Sequence, residues 1–454
     1  MSIPKYPVYK ESAVSWLGPV PSHWEVLRLK HACEVFPSNV DKHARDDEPP
    51  VLLCNYTDVY YNEQITADMP FMAATASAEQ IARFTLKGGD TIITKDSETA
   101  DDIAIAAYVP EDLPGVVCGY HLSMVRPRAS TWGAYVKRLF DSFYAKARFA
   151  VAANGLTRVG LGQYALDNVE LPFPPPEEQR VIATFLDGET AKIDTLVEEQ
   201  RRLIELLKEK RQAVISQAVS KGSNPNVPMK DSGVEWLGKV PQAWTVRSLR
   251  TLSSVVRGAS PRPAGDPQFF NGDHIPWVTV AEITKDALTN LMETETCLTE
   301  AGAEHSRLLR SGTVIYSNSG ATLGVPKILR VDACANDGVV GFESLSDLVE
   351  PTFLYHYLSS LTTTIRDMVR QGSGQPNLNT SLVKAIPIAL PSRQEQLAIC
   401  SNIEEVTMQF DRLSTEAEEA MTLLQERRSA LISAAVTGKI DVRGLAPQPE
   451  AVVA

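Results

Sequence analysis

The sequence predicts a mixed α/β protein: two duplicated globular domains separated by two long antiparallel coiled-coil helices, in a pseudo-two-fold arrangement. Three observations predict it. An N-terminal arm recurs halfway along the chain, a helix end recurs near the C-terminus, and the segments leading to those ends carry an apolar period of about 3.5 residues.

Lys10 to Lys30 reads KESAVSWLGPVPSHWEVLRLK, and Lys230 to Arg250 reads KDSGVEWLGKVPQAWTVRSLR. Lys, Ser, Val, Trp-Leu-Gly, Val-Pro, Trp, Val and Leu recur in register without a gap. A duplication explains this; each arm by itself is expected only to lead into a strand and bury its tryptophans.

Each arm opens a globular unit of short Val/Ile-rich strands broken by Gly, Pro and Asp, with modest helices between them. In the second unit VIYSNSGATLGVPKIL, Val314 to Leu329, reads strand, polar turn, strand. TIITKDSETADDIAIAAYV, Thr91 to Val109, holds the same place in the first. Near the end of each unit lies a polar loop, AANGLTRVGLG from Ala152 to Gly162 and QGSGQPNLN from Gln371 to Asn379. The second unit also opens with RGASPRP, Arg257 to Pro263. Such loops present Ser, Thr, Asn, Gln and Arg on a Gly/Pro backbone, side chains able to bond phosphates and base edges.

Proline-rich leads then start the long helices: LPFPPPEEQ at Leu171 to Gln179 and IPIALPSRQEQ at Ile386 to Gln396. Their ends repeat as ELLKEKRQAVISQAVSKG, Glu205 to Gly222, and MTLLQERRSALISAAVTG, Met421 to Gly438, with glycine as the stop. Steps of three and four place Leu186, Ile193, Leu196, Leu203, Leu207 and Val214 on one seam of the first helix. In the second they place Ile403, Val406, Phe410, Leu413, Leu424 and Leu431. The cheapest partner for each helix is the other. The resulting domains are 1–170, helix and linker 171–228, 229–385, helix 386–440, and a frayed tail 441–454.

Composition narrows the function. Lys+Arg is 44 and Asp+Glu 56, a formal net charge of -12, which argues against a polybasic binder held by bulk charge but leaves room for one basic face. The six cysteines form no C-x-x-C and no histidine pair stands at zinc spacing, so reduced core thiols are expected rather than disulfides or metal. The N-terminus lacks a signal-peptide core and no run is long enough to span a membrane, so a cytoplasmic location is expected. Catalytic signals are poor. There is no Walker A motif; the glycines at Gly155 to Gly162 and at Gly320 and Gly324 lack a βαβ context. Asp96 and Glu98 lack the Glu-x-Lys of a common nuclease core, and Glu48-Pro49-Pro50-Val51 is only faintly like an amino-methyltransferase box.

Taken together, the duplicated W-L-G-x-V-P-x-x-W arm, VLLCNYTDVY (Val51 to Tyr60), ITKDSETADDIA (Ile93 to Ala104), VVCGYHL (Val116 to Leu122), SNSGATLGVPKIL, GSGQPNLN and the Pro-Pro-x-Glu-Gln helix start resemble the specificity subunit of a Type I restriction-modification system. The resemblance covers nearly the whole chain. It implies two target-recognition domains held apart by the helices, binding a bipartite double-stranded DNA site with one half-site per domain. It implies two methyltransferase subunits, which carry S-adenosylmethionine, and restriction/translocase subunits, which use ATP and Mg. No cofactor or metal is expected on this chain, which is non-catalytic. The candidate DNA contacts are Arg83, Lys95, Asp96, Asn154, Thr157 and Arg158 in the first domain. In the second they are Arg257, Ser260, Arg262, Ser317, Asn318, Ser319, Thr322, Gln375, Asn377 and Asn379. Two other readings stay open on the sequence: a fused or stand-alone DNA methyltransferase or nuclease, and a coiled-coil scaffold that binds no DNA.

Overall fold

The computed structural model describes residues 3–320, 322–370 and 378–445. The chain forms two compact units, residues 1–200 with 418–454, and residues 201–417. Each unit therefore holds one half of each long helix.

In the first unit a sheet of Cys33–Pro37, Leu122–Pro127, Thr91–Thr94 and Ala106–Tyr108 runs in that order, all neighbours antiparallel. The second unit repeats the order with Ser254–Arg257, Val339–Glu343, Val314–Ser317 and Pro326–Leu329, and adds Asn290–Leu291 in parallel at the edge. A second sheet in each unit contains one parallel pair, Pro50–Cys54 with Val116–Cys118 and Ile275–Val278 with Ala333–Ala335. The central strands Thr91–Thr94 and Val314–Ser317 are buried on both faces, which is why TIIT and the VIY of VIYS read as continuous β-branched and aromatic runs rather than alternating ones.

The repeated motifs interlock. Tyr9–Lys10 pairs with Val20–Pro21, and Met229–Asp231 with Lys239–Pro241, folding each arm into a hairpin. The strand after it, Glu25–Arg28 or Thr245–Ser248, pairs with the last strand of the same unit, Glu170–Phe173 or Pro387–Leu390. That strand delivers the chain to the helix start. There the buried Trp24 indole Nε1 donates to Glu178 Oε1 at 3.0 Å, and Trp244 Nε1 donates to Glu395 Oε1 at 3.1 Å. The next residue is a buried glutamine in both cases. Gln179 accepts from the Trp132 amide and donates to the Pro174 carbonyl; Gln396 accepts from the Glu350 amide and donates to the Leu348 and Pro391 carbonyls. The Glu-Gln pair thus satisfies the donors and carbonyls that a buried chain turn would otherwise leave orphaned. Only the second tryptophan of each arm is buried. Trp16 and Trp236 are exposed, against the expectation that both would be covered, because the hairpin turns its first tryptophan away from the core; the Arg148 guanidinium lies 5.5 Å from the Trp16 ring.

The long helices run Pro176–Lys221 and Arg393–Val436, 46 and 44 residues, or about 69 and 66 Å at ~1.5 Å per residue. They start later than residues 171 and 386 because the preceding strands belong to the sheets. The tail also begins later than 441: Val442 is buried and the Asp441 amide donates to the Pro4 carbonyl. Within the first unit Arg428 pairs with Asp194 at 3.1 Å, and within the second Arg211 pairs with Asp411 at 3.4 Å. In both, a late helix position meets an earlier one of the other helix, the antiparallel pairing that the shared period suggests.

The seam itself differs in phase. Leu186, Ile193 and Leu207 are buried as expected, but Leu196 and Leu203 are 44% and 41% exposed while Val197 and Ile204 take the seam. In the second helix Ile403 is buried, Phe410, Leu424 and Leu431 are half-buried, and Thr407 replaces Val406 as the more buried neighbour; Leu413 is exposed. Val214 is half-buried beside the buried Ile215. The buried positions Leu186, Thr190, Ile193, Val197, Ile204 and Leu207 keep the seven-residue repeat, but within each repeat the step of four precedes the step of three, so the period is as expected and only the phase is shifted.

One ion-pair network fastens the first unit to its helices. Lys137, almost fully buried, pairs with Glu63 and with Asp141 at 2.7 Å. Arg138 reaches Glu63 at 3.2 Å and Asp187 at 2.8 Å, while Arg428 reaches Glu63 at 2.7 Å. Burial by itself raises the Glu63 carboxyl, but the charges of Lys137 and Arg428, the Lys137 hydrogen bond and Arg138 outweigh it and hold it down to about 2. A carboxyl lowered on folding adds stability that is complete above its unfolded value of ~4.3 and is lost as pH falls through the folded one. Glu63→Gln is therefore expected to lower the urea midpoint at pH 7. The gap to the parent should close progressively between about pH 4.5 and about pH 2; a gap independent of pH would assign the loss to packing.

Candidate nucleic-acid interface

In both units the described parts of the loops singled out from the sequence meet at one end of the main sheet. The Lys95 amide donates to the His121 carbonyl at 3.1 Å, and the Leu161 amide to the Lys95 carbonyl at 2.8 Å. The Asn318 amide donates to the Gly338 carbonyl at 2.9 Å, and the Leu378 amide to the Asn318 carbonyl at 2.8 Å. The same three segments are tied by the same two bonds: the loop after the central strand, the turn into the neighbouring strand, and the loop before a short helix. That short helix is Gln163–Asn168 in one unit and Thr380–Ala385 in the other.

The first unit brings Lys95, Asp96, Asn154, Thr157 and Arg158 together. Asp96–Ser97 pairs with Val159–Gly160, and the Asn154 and Gly160 backbones exchange two hydrogen bonds that close a small loop. Gly155 holds φ +147, and a Cβ there would lie 1.9 Å from the Arg158 carbonyl oxygen, so only glycine permits the closure. Thr157 and Arg158 stand exposed on this loop. Arg158 Nη2 lies 3.2 Å from Asp96 Oδ1, and His121 Nδ1 lies 2.9 Å from Asp96 Oδ2. The Lys95 ammonium sits 4.6 Å from the centre of the exposed Tyr120 ring. Beside them Tyr56 and Tyr60 stack at 5.5 Å, and the Tyr60 hydroxyl donates to Asp102 at 2.7 Å, which pushes its pKa up to about 12. Cations, hydrogen-bonding groups and flat aromatic faces are the equipment of a nucleic-acid surface. Arg83 does not join it: its guanidinium lies against the rings of Phe36, on the edge strand of the main sheet, and Phe84.

The second unit gathers Arg257, Ser260 and Arg262 around Asp337, a residue that sequence reasoning missed. Ser260 Oγ donates to Asp337 Oδ1 at 2.8 Å, and Arg257 Nε donates to the Asp337 backbone carbonyl at 2.6 Å. Arg257 and Arg262 each place an Nη2 atom near Asp337 Oδ2, at 3.9 and 3.8 Å. The Ser260 hydrogen bond is the largest influence on Asp337 and lowers its pKa; burial opposes it, and the backbone amide of Asp337 and then the two guanidinium charges lower it further. Ser319 is half-buried and Thr322 exposed at the same loop.

Ser317 and Asn318 are not available to a ligand. Both are buried: the Ser317 hydroxyl donates to the Thr322 carbonyl and accepts from the Val325 amide, and Asn318 Nδ2 donates to the Leu378 carbonyl. They shape the turn from beneath because the buried strand runs on through them. Asn379 is exposed, but its side-chain oxygen caps the helix Thr380–Ala385 by accepting from the Leu382 amide at 2.9 Å. Gln375 and Asn377 lie outside the described residues. The signal for the missed groups was the turn that enters the strand beside the centre, Gly119-Tyr120-His121 in one unit and Asn336-Asp337-Gly338 in the other. Among the described residues no cluster of His, Cys, Asp and Glu could hold a metal, the six cysteines are unpaired, and no helix is long and apolar enough to cross a membrane.

Comparison with known proteins fits this duplicated layout. The family model of the Type I restriction modification DNA specificity domain matches twice, at residues 21–206 and 241–420. The chain is 20% identical over 452 residues to the Type I restriction enzyme MjaVIII specificity subunit of Methanocaldococcus jannaschii, covering 94% of this chain and 95% of that one. It is 21% identical over 426 residues to the EcoKI specificity subunit of Escherichia coli, covering 90% and 86%. A solved chain from work on complex assembly and conformational transition of the type I R-M system superposes with a TM-score of 0.69 at 16% identity, over 92% of this chain and 98% of that one. The HsdS subunit of Thermoanaerobacter tengcongensis superposes at 0.55 and 18% identity, over 93% and 98%, so the fold is shared. Two family matches spanning well over half the sequence, each on one of the duplicated units, place this chain in the Type I restriction-modification DNA specificity family, as a non-catalytic subunit that specifies a DNA sequence.

Proposed function

We propose that the chain reads a bipartite, asymmetric DNA target, one half-site per unit, while carrying two methyltransferase subunits and, in a restricting complex, two restriction/translocase subunits. The observation that carries this reading is the pair of loop clusters. The same backbone bonds frame both, yet they present different side chains: Lys95, Arg158, His121 and Tyr120 in one, Arg257, Arg262 and Asp337 in the other. One scaffold with two side-chain sets is suited to two different half-sites. The exposed Leu196, Leu203, Leu206 and Leu423 on the long helices support a role for those helices in docking partners. S-adenosylmethionine belongs to the methyltransferase in this scheme, ATP and Mg to the restriction subunit, and the whole to the cytoplasm.

Co-expression with a Type I methyltransferase subunit from the same host is expected to raise its soluble yield. Methylome sequencing of the host should then show one bipartite modified sequence that is absent without the chain. Methyl transfer by the purified chain alone with S-adenosylmethionine would overturn the reading.

A further inference from the structure

We infer that Asp337, together with the Arg257 and Arg262 it holds in place, reads the major-groove edge of a G·C pair, so that the second unit's half-site is specified at that pair. The inference rests on the proposed DNA-reading role and adds to it a base identity and a residue.

The geometry favours a base edge over the phosphate backbone. Asp337 is locked in place: Ser260 Oγ donates to its Oδ1 at 2.8 Å, and its own amide donates back to Ser260 Oγ at 3.4 Å. Its other oxygen, Oδ2, faces both guanidinium groups at 3.8 and 3.9 Å, beyond direct hydrogen-bonding distance. The Nη donors of both arginines are thus oriented without being consumed, apart from the Arg257 Nε bond to the Asp337 carbonyl. Arg262 is 71% exposed and Arg257 47%, so their donors reach solvent.

A phosphate arriving at these arginines would meet the Asp337 carboxylate, a like charge, at the same spot. A G·C pair would not. In the major groove guanine offers two acceptors, N7 and O6, and cytosine offers an N4–H donor beside them. Arginine supplies donors to the first and a carboxylate accepts from the second, so the fixed Arg–Asp–Arg group is complementary to that edge. An A·T pair places a donor where guanine has O6 and an acceptor where cytosine has its amino group, and it is penalised on both counts. Preorganisation matters because a guanidinium on a freely rotating chain would follow any acceptor, phosphate included.

The test uses the assembled complex of this chain with its methyltransferase, reading methylation across a library of randomised sites. The parent complex should require a G·C pair at a position of the half-site that changes when the second unit is exchanged. Asp337→Asn keeps the size and removes the charge. It is expected to cut discrimination at that pair by roughly tenfold, with the other positions and the first half-site unchanged. Asp337→Glu should restore part of the discrimination, and Arg262→Lys should relax the same pair. Unchanged discrimination in Asp337→Asn would overturn the inference. So would a uniform loss on all sequences together with a shallower salt dependence, the mark of a phosphate contact. If Asp337→Asn does not assemble, Arg262→Lys, at an exposed position, decides alone: relaxation at one G·C pair supports the inference and a uniform loss rejects it. A parent complex that methylates no bipartite site would instead sink the DNA-reading proposal itself.

Discussion

Exchanging residues 40–165 for the matching segment of another specificity subunit is expected to replace one half of the methylated target and leave the other half as it was. The segment starts beyond the edge strand Cys33–Pro37 and stops before the strand Glu170–Phe173 that carries the chain to its helix. It takes with it the loop cluster around Asp96 and leaves behind the Trp24–Glu178 bond and the buried Gln179. The effect should be large, because specific and non-specific DNA affinities commonly differ by ~10³- to 10⁷-fold. The exchange also moves Glu63, Lys137 and Arg138 together, while their partners Asp187 and Arg428 stay on the helices. A donor that lacks the acidic residue at 63 would leave buried Lys137 under-compensated, so donors should be chosen to keep that set. Methylome sequencing of the hybrid checks the outcome, and a change in both half-sites would show that the units do not read independently.

Lengthening both helices should lengthen the unspecified spacer. Each helix is shared between the two units, the first dividing after Gln200 and the second after Ala417. Seven residues added at each point keep the seam in phase, since buried positions return every seven residues at 190, 197 and 204. Seven helical residues add ~10 Å, on the order of three base-pair steps of ~3.4 Å. Insertion in one helix alone would force the Arg428–Asp194 and Arg211–Asp411 pairs out of register and confound the result. A folded, active complex that keeps its original spacer would show that the helices do not set the distance.

Much of this architecture was legible because its repeated motifs make the contacts that hold each unit together. A tryptophan and a Glu-Gln pair far apart in sequence mark the two ends of one hydrogen-bonded joint, so their recurrence reports the joint's recurrence. The loop cluster was legible for a similar reason: polar runs at matching places in two copies are tied by matching backbone bonds. The seam phase was not. Leu196-Val197 and Leu203-Ile204 are adjacent apolar pairs, and periodicity alone cannot choose between neighbours that fit equally. Ser317 and Asn318 look like loop residues by composition, yet the turn they shape folds over them, and burial of that kind depends on Leu378, 60 residues away. Asp337 went unnoticed because an Asn-Asp-Gly turn is ordinary in itself. Its meaning lies in Arg257 and Arg262, which approach it only in three dimensions.

The discontinuity of the first unit bears on how the chain is made. Residues 201–417 are contiguous, so the second unit has all its material once they have left the ribosome. The first unit is synthesised earlier but needs residues 418–445 to close its core: Ile432, Ala435 and Val436 pack with Trp24, and the Tyr135 hydroxyl donates to the carbonyl of Val436. The half made first is thus the half finished last, and until the final helix emerges it shows an unfilled apolar groove beside the Trp24 arm. Contacts that join residues some 300 positions apart close late and slowly. A nascent chain stalled or truncated before Ile432 would hold a finished second reader and an unfinished first, making the second long helix the checkpoint for the domain that precedes it in the chain.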